Sequence, residues 1–217
     1  MREKFCTITA TRGDRPEFIN HLKWQISRMT LKPDHSIFVD FPPISGGIDL
    51  VERVFAGVCQ AKEIGFDLVF ILEDDDFYQA DYFERFGDTL GVDFFGDDLT
   101  YYYHLKQRAF NSLPHPKRSS LFTTGFRISK IEGFQWGGDQ FVDYRLWKWA
   151  NEKKMHTKFV NTGAIGIKHG IGKVAGKGHV QIMRHMDHKM EWLKSRVDER
   201  SFEFYRELSG KLISVDL

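Results

Sequence analysis

Asp67-Leu68-Val69-Phe70-Ile71-Leu72-Glu73-Asp74-Asp75-Asp76 sets five apolar residues directly before four carboxylates. The apolar run reads as a buried strand, and the acids stand at its C-terminal end. Like charges a few ångströms apart repel and raise one another's pKa, so packing alone gives no reason to crowd them. A hard divalent cation, which takes oxygen ligands, is the usual compensator. A solvated acidic turn is the plainer alternative, and the flanking sequence decides between them.

Upstream, Lys4 to Ala10 reads as a first strand, ending in Thr9-Ala10-Thr11-Arg12. Gly13-Asp14 makes a turn. Asp14 with Glu17 resembles a capping box, and Pro16 sits in the first turn of a helix running to about Met29. Ser36 to Val39 is a short strand ending at Asp40. Ile48 to Ile64 is amphipathic, with Gly65 at its end. The first 76 residues thus read strand–helix–strand–helix–strand, the pattern of a parallel sheet covered by helices. Ligands of such sheets bind at the C-terminal strand edges. Polar clusters stand at three of those edges: Thr9 to Arg15, Asp40, and Asp74 to Asp76.

Downstream the pattern is less regular. Thr100 to Leu105, Ser120 to Phe126, Thr157 to Val160 and Ala164 to Ile167 are strand candidates. Gly137-Gly138-Asp139 precedes a helix over about Gln140 to Lys153. Lys168 to His179 is rich in Gly and Lys, and helical patterns close the chain from roughly Met186 to Leu208. That glycine-rich stretch matches neither a P-loop nor a dinucleotide fingerprint. Trp136 and Tyr101 to Tyr103 are candidate stacking surfaces, although buried core is the commoner fate of such rings.

The 217 residues suit one domain, with 1–100 as a nucleotide-binding half and 101–217 as an acceptor half with C-terminal helices. Cys6 and Cys59 lie in apolar patterns and read as buried free thiols. No apolar run approaches the ~18 residues that span a bilayer, and no signal-peptide pattern opens the chain, so a cytoplasmic protein is expected. The net charge of +1 hides polarisation. Residues 63–99 carry a net of −11, against +6 over residues 104–130 and +8 over residues 153–196. This suggests an acidic metal-holding region beside basic segments that receive a polyanion; charges dispersed over the folded surface are the alternative.

Together these features resemble a GT-A-fold, family-2-like glycosyltransferase using a nucleotide-sugar donor. The resemblance rests on Asp74-Asp75-Asp76 as an Asp-x-Asp element after its strand, on Asp139 and on the His169 loop. It implies an α/β, Rossmann-like fold with a mixed, mainly parallel sheet flanked by helices. It further implies Mn²⁺ or Mg²⁺ on the donor diphosphate, held by Asp76 and Asp74 with His169 (His179 second), while Glu73 and Asp75 support. Donor contacts are expected from Thr9, Thr11, Arg12, Arg15, Asp40, Asp74, Lys173 and Lys177. Asp139 is the expected base for an inverting transfer, though the family's usual Glu-Asp pair is here Asp139-Gln140, and an N-cap role fits Asp139 equally. The expected reaction moves a sugar, a hexose from a UDP-sugar by preference, to an acceptor hydroxyl. The acceptor is a small molecule, a saccharide, or hydroxymethylpyrimidine DNA, as in some viral genomes, whose base would have to leave the stack. A metal-dependent nuclease or phosphotransferase, or a non-catalytic polyanion binder, are the rival readings.

Overall fold

The computed structural model describes residues 3–41, 49–137, 141–170 and 180–214. Its first half follows the alternation read from the sequence: β1 (Phe5–Ala10), α1 (Pro16–Arg28), β2 (His35–Val39), α2 (Leu50–Glu63) and β3 (Leu68–Ile71). The second half contributes β4 (Phe94–Gly96), β5 (Leu99–His104), β6 (Ala109–Pro114), β7 (Gly125–Arg127), α3 (Val142–Glu152), β8 (Thr157–Phe159) and β9 (Ile165–Lys168). β10 (His185–Met186), α4 (Glu191–Lys194) and α5 (Glu199–Ser214) complete the described chain.

The architecture is mixed α/β with a mainly parallel central sheet flanked by helices. That sheet has the order β2-β1-β3-β7-β4-β8, and β7 alone runs against its neighbours. β3 lies near its centre, which explains the unbroken apolar run: all four of its residues are buried. On one face Cys6, Ile8, Val69 and Ile71 pack with Val54, Val58 and Ala61 of α2 and Leu146 and Trp147 of α3. On the other, Phe5, Leu68 and Phe70 meet Leu22 of α1 and the rings of Tyr82, Phe83 and Phe86. A second, four-stranded sheet, β10-β6-β5-β9, carries α4 and α5.

Gly125 marks the tightest crossing of β3 and β7, where an added Cβ would stand 2.4 Å from the Phe70 ring. Gly125→Ala is expected to cost about 1–3 kcal/mol through overpacking, read as a lower urea midpoint at unchanged m-value.

Several expectations change. The start of α1 is not a capping box: its N-cap is Arg15, with no side-chain cap, and Asp14 instead pairs with Arg12 at 2.6 Å. Ser120 to Phe126 is not one strand. The Ser120 carbonyl accepts from the Thr123 amide and from the Thr123 and Thr124 hydroxyls, closing a short 3-10 turn before β7. The closing helical stretch divides in two because the Asp198 carboxylate accepts from the Ser201 amide and hydroxyl and starts α5 afresh. Cys6 is buried and Cys59 half-buried, both as free thiols. Among the described residues no helix is long and apolar enough to cross a membrane.

Charge polarisation is partly cancelled in three dimensions. Asp93 pairs with Lys130, Asp67 and Glu3 with Arg127, Asp81 with Arg85, and Arg118 with Asp143. What survives of the acidic segment as a cluster is residues 73–76.

Candidate active site

The chain leaves β3 at Leu72, whose amide still donates to the Ile8 carbonyl of β1, so the acidic turn opens beside the end of β1. Tyr78 then folds back, its hydroxyl accepting from the Glu73 amide at 2.8 Å. Gln25, buried on the inner face of α1, clamps the far side: its amide donates to the Asp76 carbonyl at 2.9 Å and its oxygen accepts from the Tyr78 amide at 2.8 Å. Beyond it, Phe77 bridges to Ile165, docking the turn on β9. Backbone anchors of this kind fix the aim of four successive acidic side chains.

Each carboxylate has a different environment. Asp74 turns to the β1 end, accepting from the Thr11 hydroxyl at 2.7 Å and from Arg15 Nη2 at 2.9 Å. Asp75 Oδ2 lies 2.8 Å from His169 Nε2 and 3.9 Å from Arg15 Nη1. That His169 nitrogen is also 3.1 Å from Arg15 Nη1, and the ring packs on Phe18 at 5.0 Å. Asp76 is wholly buried; its Oδ1 accepts from the Ile167 amide at 2.7 Å and stands 3.9 Å from Lys168 Nζ. Its Oδ2 is buried with no hydrogen-bond partner among the described residues. Glu73, Asp75 and Asp76 together bring one oxygen each to within 4.8 Å of one another.

Burial dominates the acidities. It pushes Glu73 up to about 7, with the Asp75 charge adding and Lys168 opposing. Burial and the Asp75 charge bring Asp74 to about 6 against Arg15 and Thr11. Burial lifts Asp76 well above the carboxylate range. At Asp75 burial is outweighed by the His169 hydrogen bond and the charges of Lys168, His169 and Arg15, which hold it well below that range. The Lys168 ammonium is buried, yet its acidic neighbours keep it charged, with its pKa raised.

The donor chemistry fits a hard divalent cation. Three residues each bring one carboxylate oxygen together, and Asp76 also holds an orphaned oxygen, in surroundings that penalise uncompensated negative charge. A cation must displace the proton from Glu73, so its affinity should climb with pH. The sign follows from linkage: a carboxyl raised to about 7 in the folded state favours folding while protonated and loses that contribution as pH rises through 7. The Mn²⁺- or Mg²⁺-dependent gain in Tm is therefore expected to be small at pH 5 and to grow through pH 7.5. Thermal scans with and without the cation at each pH check this, and an increment flat with pH would contradict it.

The other residues singled out from the sequence fall in different places. Thr9 is buried, its Oγ1 without a partner among the described residues. Arg12 donates to Asp14 at 2.6 Å. Asp40 is exposed at the end of β2, beside Gly13. Asp139, Lys173, Lys177 and His179 lie outside the described residues. Arg53, Gln25 and Lys168 were not legible as site residues. Arg53, 1% exposed, donates to the Thr11 carbonyl at 2.6 Å, the Val39 carbonyl at 3.3 Å and Asp49 at 3.0 Å, tying the ends of β1 and β2 together. Gln25 and Arg53 left one faint signal, a polar side chain on the apolar face of a helix. Asp143, in the first turn of α3, is close enough for its charge to help raise Glu73.

No family model and no curated protein sequence matches the chain. Solved structures do. The chain is similar to "A197 from STIV" (10% identity, TM-score 0.43, covering 71% of this chain and 80% of that one). It is also similar to a glycosyltransferase involved in the glycosylation of the major capsid of PBCV-1 (10% identity, TM-score 0.44, covering 96% and 98%). A third is the inositol-1-phosphate CTP transferase from T. maritima (10% identity, TM-score 0.43, covering 98% and 97%). At this level the likeness concerns the arrangement of elements. The functional reading rests on the side chains.

Proposed function

We propose that this protein is a metal-dependent glycosyltransferase that takes a sugar, a hexose in the first instance, from a nucleotide diphosphate donor. The observation that carries the reading is the convergence of Glu73, Asp75 and Asp76 at the end of β3, beside the Thr11–Asp74–Arg15 chain at the end of β1. A site that pairs clustered carboxylates with a guanidinium held on Asp74 suits a diphosphate, whose charge a bound cation and Arg15 would share. When bound, Mn²⁺ or Mg²⁺ would supply Lewis-acid stabilisation of the departing phosphate oxygens. Asp76, Asp75 and Glu73 would hold it. Asp74, which accepts from Thr11 and Arg15, would orient both toward the nucleotide, and His169, 2.8 Å from Asp75, would orient that carboxylate.

In the transfer, an acceptor hydroxyl oxygen bonds to the anomeric carbon as the bond from that carbon to the diphosphate oxygen breaks. A carboxylate takes the hydroxyl proton. Asp139, which precedes α3 in the sequence, is proposed for that role, and Asp143, in the first turn of α3 and with its charge reaching Glu73, is the alternative. Lys173 and Lys177 are proposed as diphosphate contacts, and Asp40 as a base or ribose contact.

The test is a donor screen for nucleoside diphosphate release with Mn²⁺ or Mg²⁺, with and without hydroxymethylpyrimidine DNA. Release from a UDP-sugar that needs the cation is expected. Nucleic-acid cleavage without such release would replace this reading with a nuclease.

A further inference from the structure

Away from the acidic turn, a second polar pocket of about 440 Å³ opens among four separated segments. Gln79 comes from the chain just beyond the acidic turn, Tyr101 from β5, Asn161 and Gly163 from the approach to β9, and Arg196 from the link between α4 and α5; Arg85 closes one side. Phe77 pairs with Ile165 and the Asp76 carboxylate with the Ile167 amide, so the two sites share one short ladder. Gln79 lies three residues beyond Asp76, so the chain between them reaches at most about 10 Å.

The pocket has fixed walls. Gln79 donates to the Arg196 carbonyl at 2.8 Å, and Arg85 Nη1 to the Asn161 carbonyl at 3.0 Å. Gly163 holds a left-handed φ of 69°, and a Cβ there would come within 3.3 Å of Gln79 and 3.5 Å of Arg85. The Arg196 guanidinium lies over two rings, 5.4 Å from the Tyr101 centroid and 5.2 Å from that of Trp192. Trp192 is itself stacked on Phe110 at 4.2 Å and 9°. Among the described residues no carboxylate or carbonyl accepts from this guanidinium, whereas Arg85 is already paired with Asp81 at 3.0 Å. A guanidinium lying on aromatic rings has little rotamer freedom left to lose, and its N–H edges remain directed for an anion.

We infer that this pocket is a second ligand site, for a phosphate-bearing ring of sugar or nucleotide size, with Arg196 as the principal phosphate contact. The volume lies in the range of small-molecule pockets. Arg–phosphate pairing supplies the charge-assisted hydrogen bonds. Tyr101, Asn161 and Gln79 supply a ring face and amides for hydroxyls or a base. The inference goes beyond sugar transfer and does not require it.

Calorimetric titration of the full chain at low ionic strength tests it, without divalent cation, using glucose 6-phosphate and uridine monophosphate as probes. Glucose, uridine and inorganic phosphate serve as the separated halves. Saturable binding of at least one phosphorylated ring, tighter than either half, is expected. Arg196→Ala should weaken it at least tenfold and Arg196→Lys less, while Asp76→Asn leaves it within about twofold. Comparison of the two probes tells a sugar phosphate from a nucleotide. Absence of binding in the wild type, or equal binding by a folded Arg196→Ala, would overturn the inference. So would loss of binding on Asp76→Asn alone, which would locate the phosphate at the acidic turn. Should Arg196→Ala unfold, Arg85→Ala and Arg196→Lys carry the same comparison. A failed donor screen with intact, Arg196-dependent binding would remove the transferase reading and leave this site standing.

Discussion

Asp76→Asn is expected to lower cation-dependent donor turnover by on the order of 10²–10³-fold, the loss that follows removal of one preorganised electrostatic partner of a reacting group. The substitution is close to isosteric, and the retained side-chain oxygen can still accept from the Ile167 amide. What disappears is the negative charge at the buried, unpartnered Oδ2. Two further effects separate a metal ligand from a structural acid. The Tm gain on adding Mn²⁺ should fall sharply. Without cation, the stability change should be small, because burial already disfavours an ionised Asp76 and Lys168 keeps the charges of Glu73 and Asp75 beside it. An unchanged cation-dependent Tm gain would remove Asp76 from the metal site, whatever happened to turnover.

Lys168→Met should produce the largest stability loss, about 3 kcal/mol near pH 8. Removing one member of a buried ion pair strands the other's charge, and such losses run to about 3–5 kcal/mol. The lower end applies because the Lys168 side chain is 11% exposed and stands 3.9 Å from Asp76 Oδ1. For a chain of this length that corresponds to a Tm lower by about 6–12 °C. The deficit should shrink toward pH 5. Without the ammonium, Glu73 and Asp76 would bind protons still more readily in the folded state, so acidification restores neutrality and stability together. The same deficit at both pH values would assign the loss to packing, since the Lys168 ammonium also lies 5.5 Å from the Tyr102 ring and 5.9 Å from that of Phe122.

The first half of the fold was legible because its periodicities are strong. The β3 run, the amphipathic α2 and the polar strand ends each stand out within a dozen residues, and the observed elements differ from the reading by one or two positions. β4, β6 and β10 were not read as strands. β4 and β10 are three and two residues long, too short for a period to show. The β5–β6 hairpin closes through Leu105–Arg108, where Arg108 takes a left-handed φ of 48° without a glycine to announce it. Ser120 to Phe126 read as a strand, but in the fold the Ser119 and Thr123 hydroxyls bond to each other, and those of Thr123 and Thr124 donate to the Ser120 carbonyl.

At the acidic turn, sequence alone determined that four carboxylates follow a buried strand, and that polar residues gather at the neighbouring strand ends. Only the tertiary structure decided how they divide. Asp74, central to the Asp-x-Asp reading, turns to Thr11 and Arg15, while Glu73 and Asp75 converge with Asp76. The reason is that side-chain direction in a non-repeating turn depends on its backbone anchors. Those anchors come from residues far apart in the chain: Gln25, Tyr78, Ile167 and, through the Asp75 carbonyl, Tyr205.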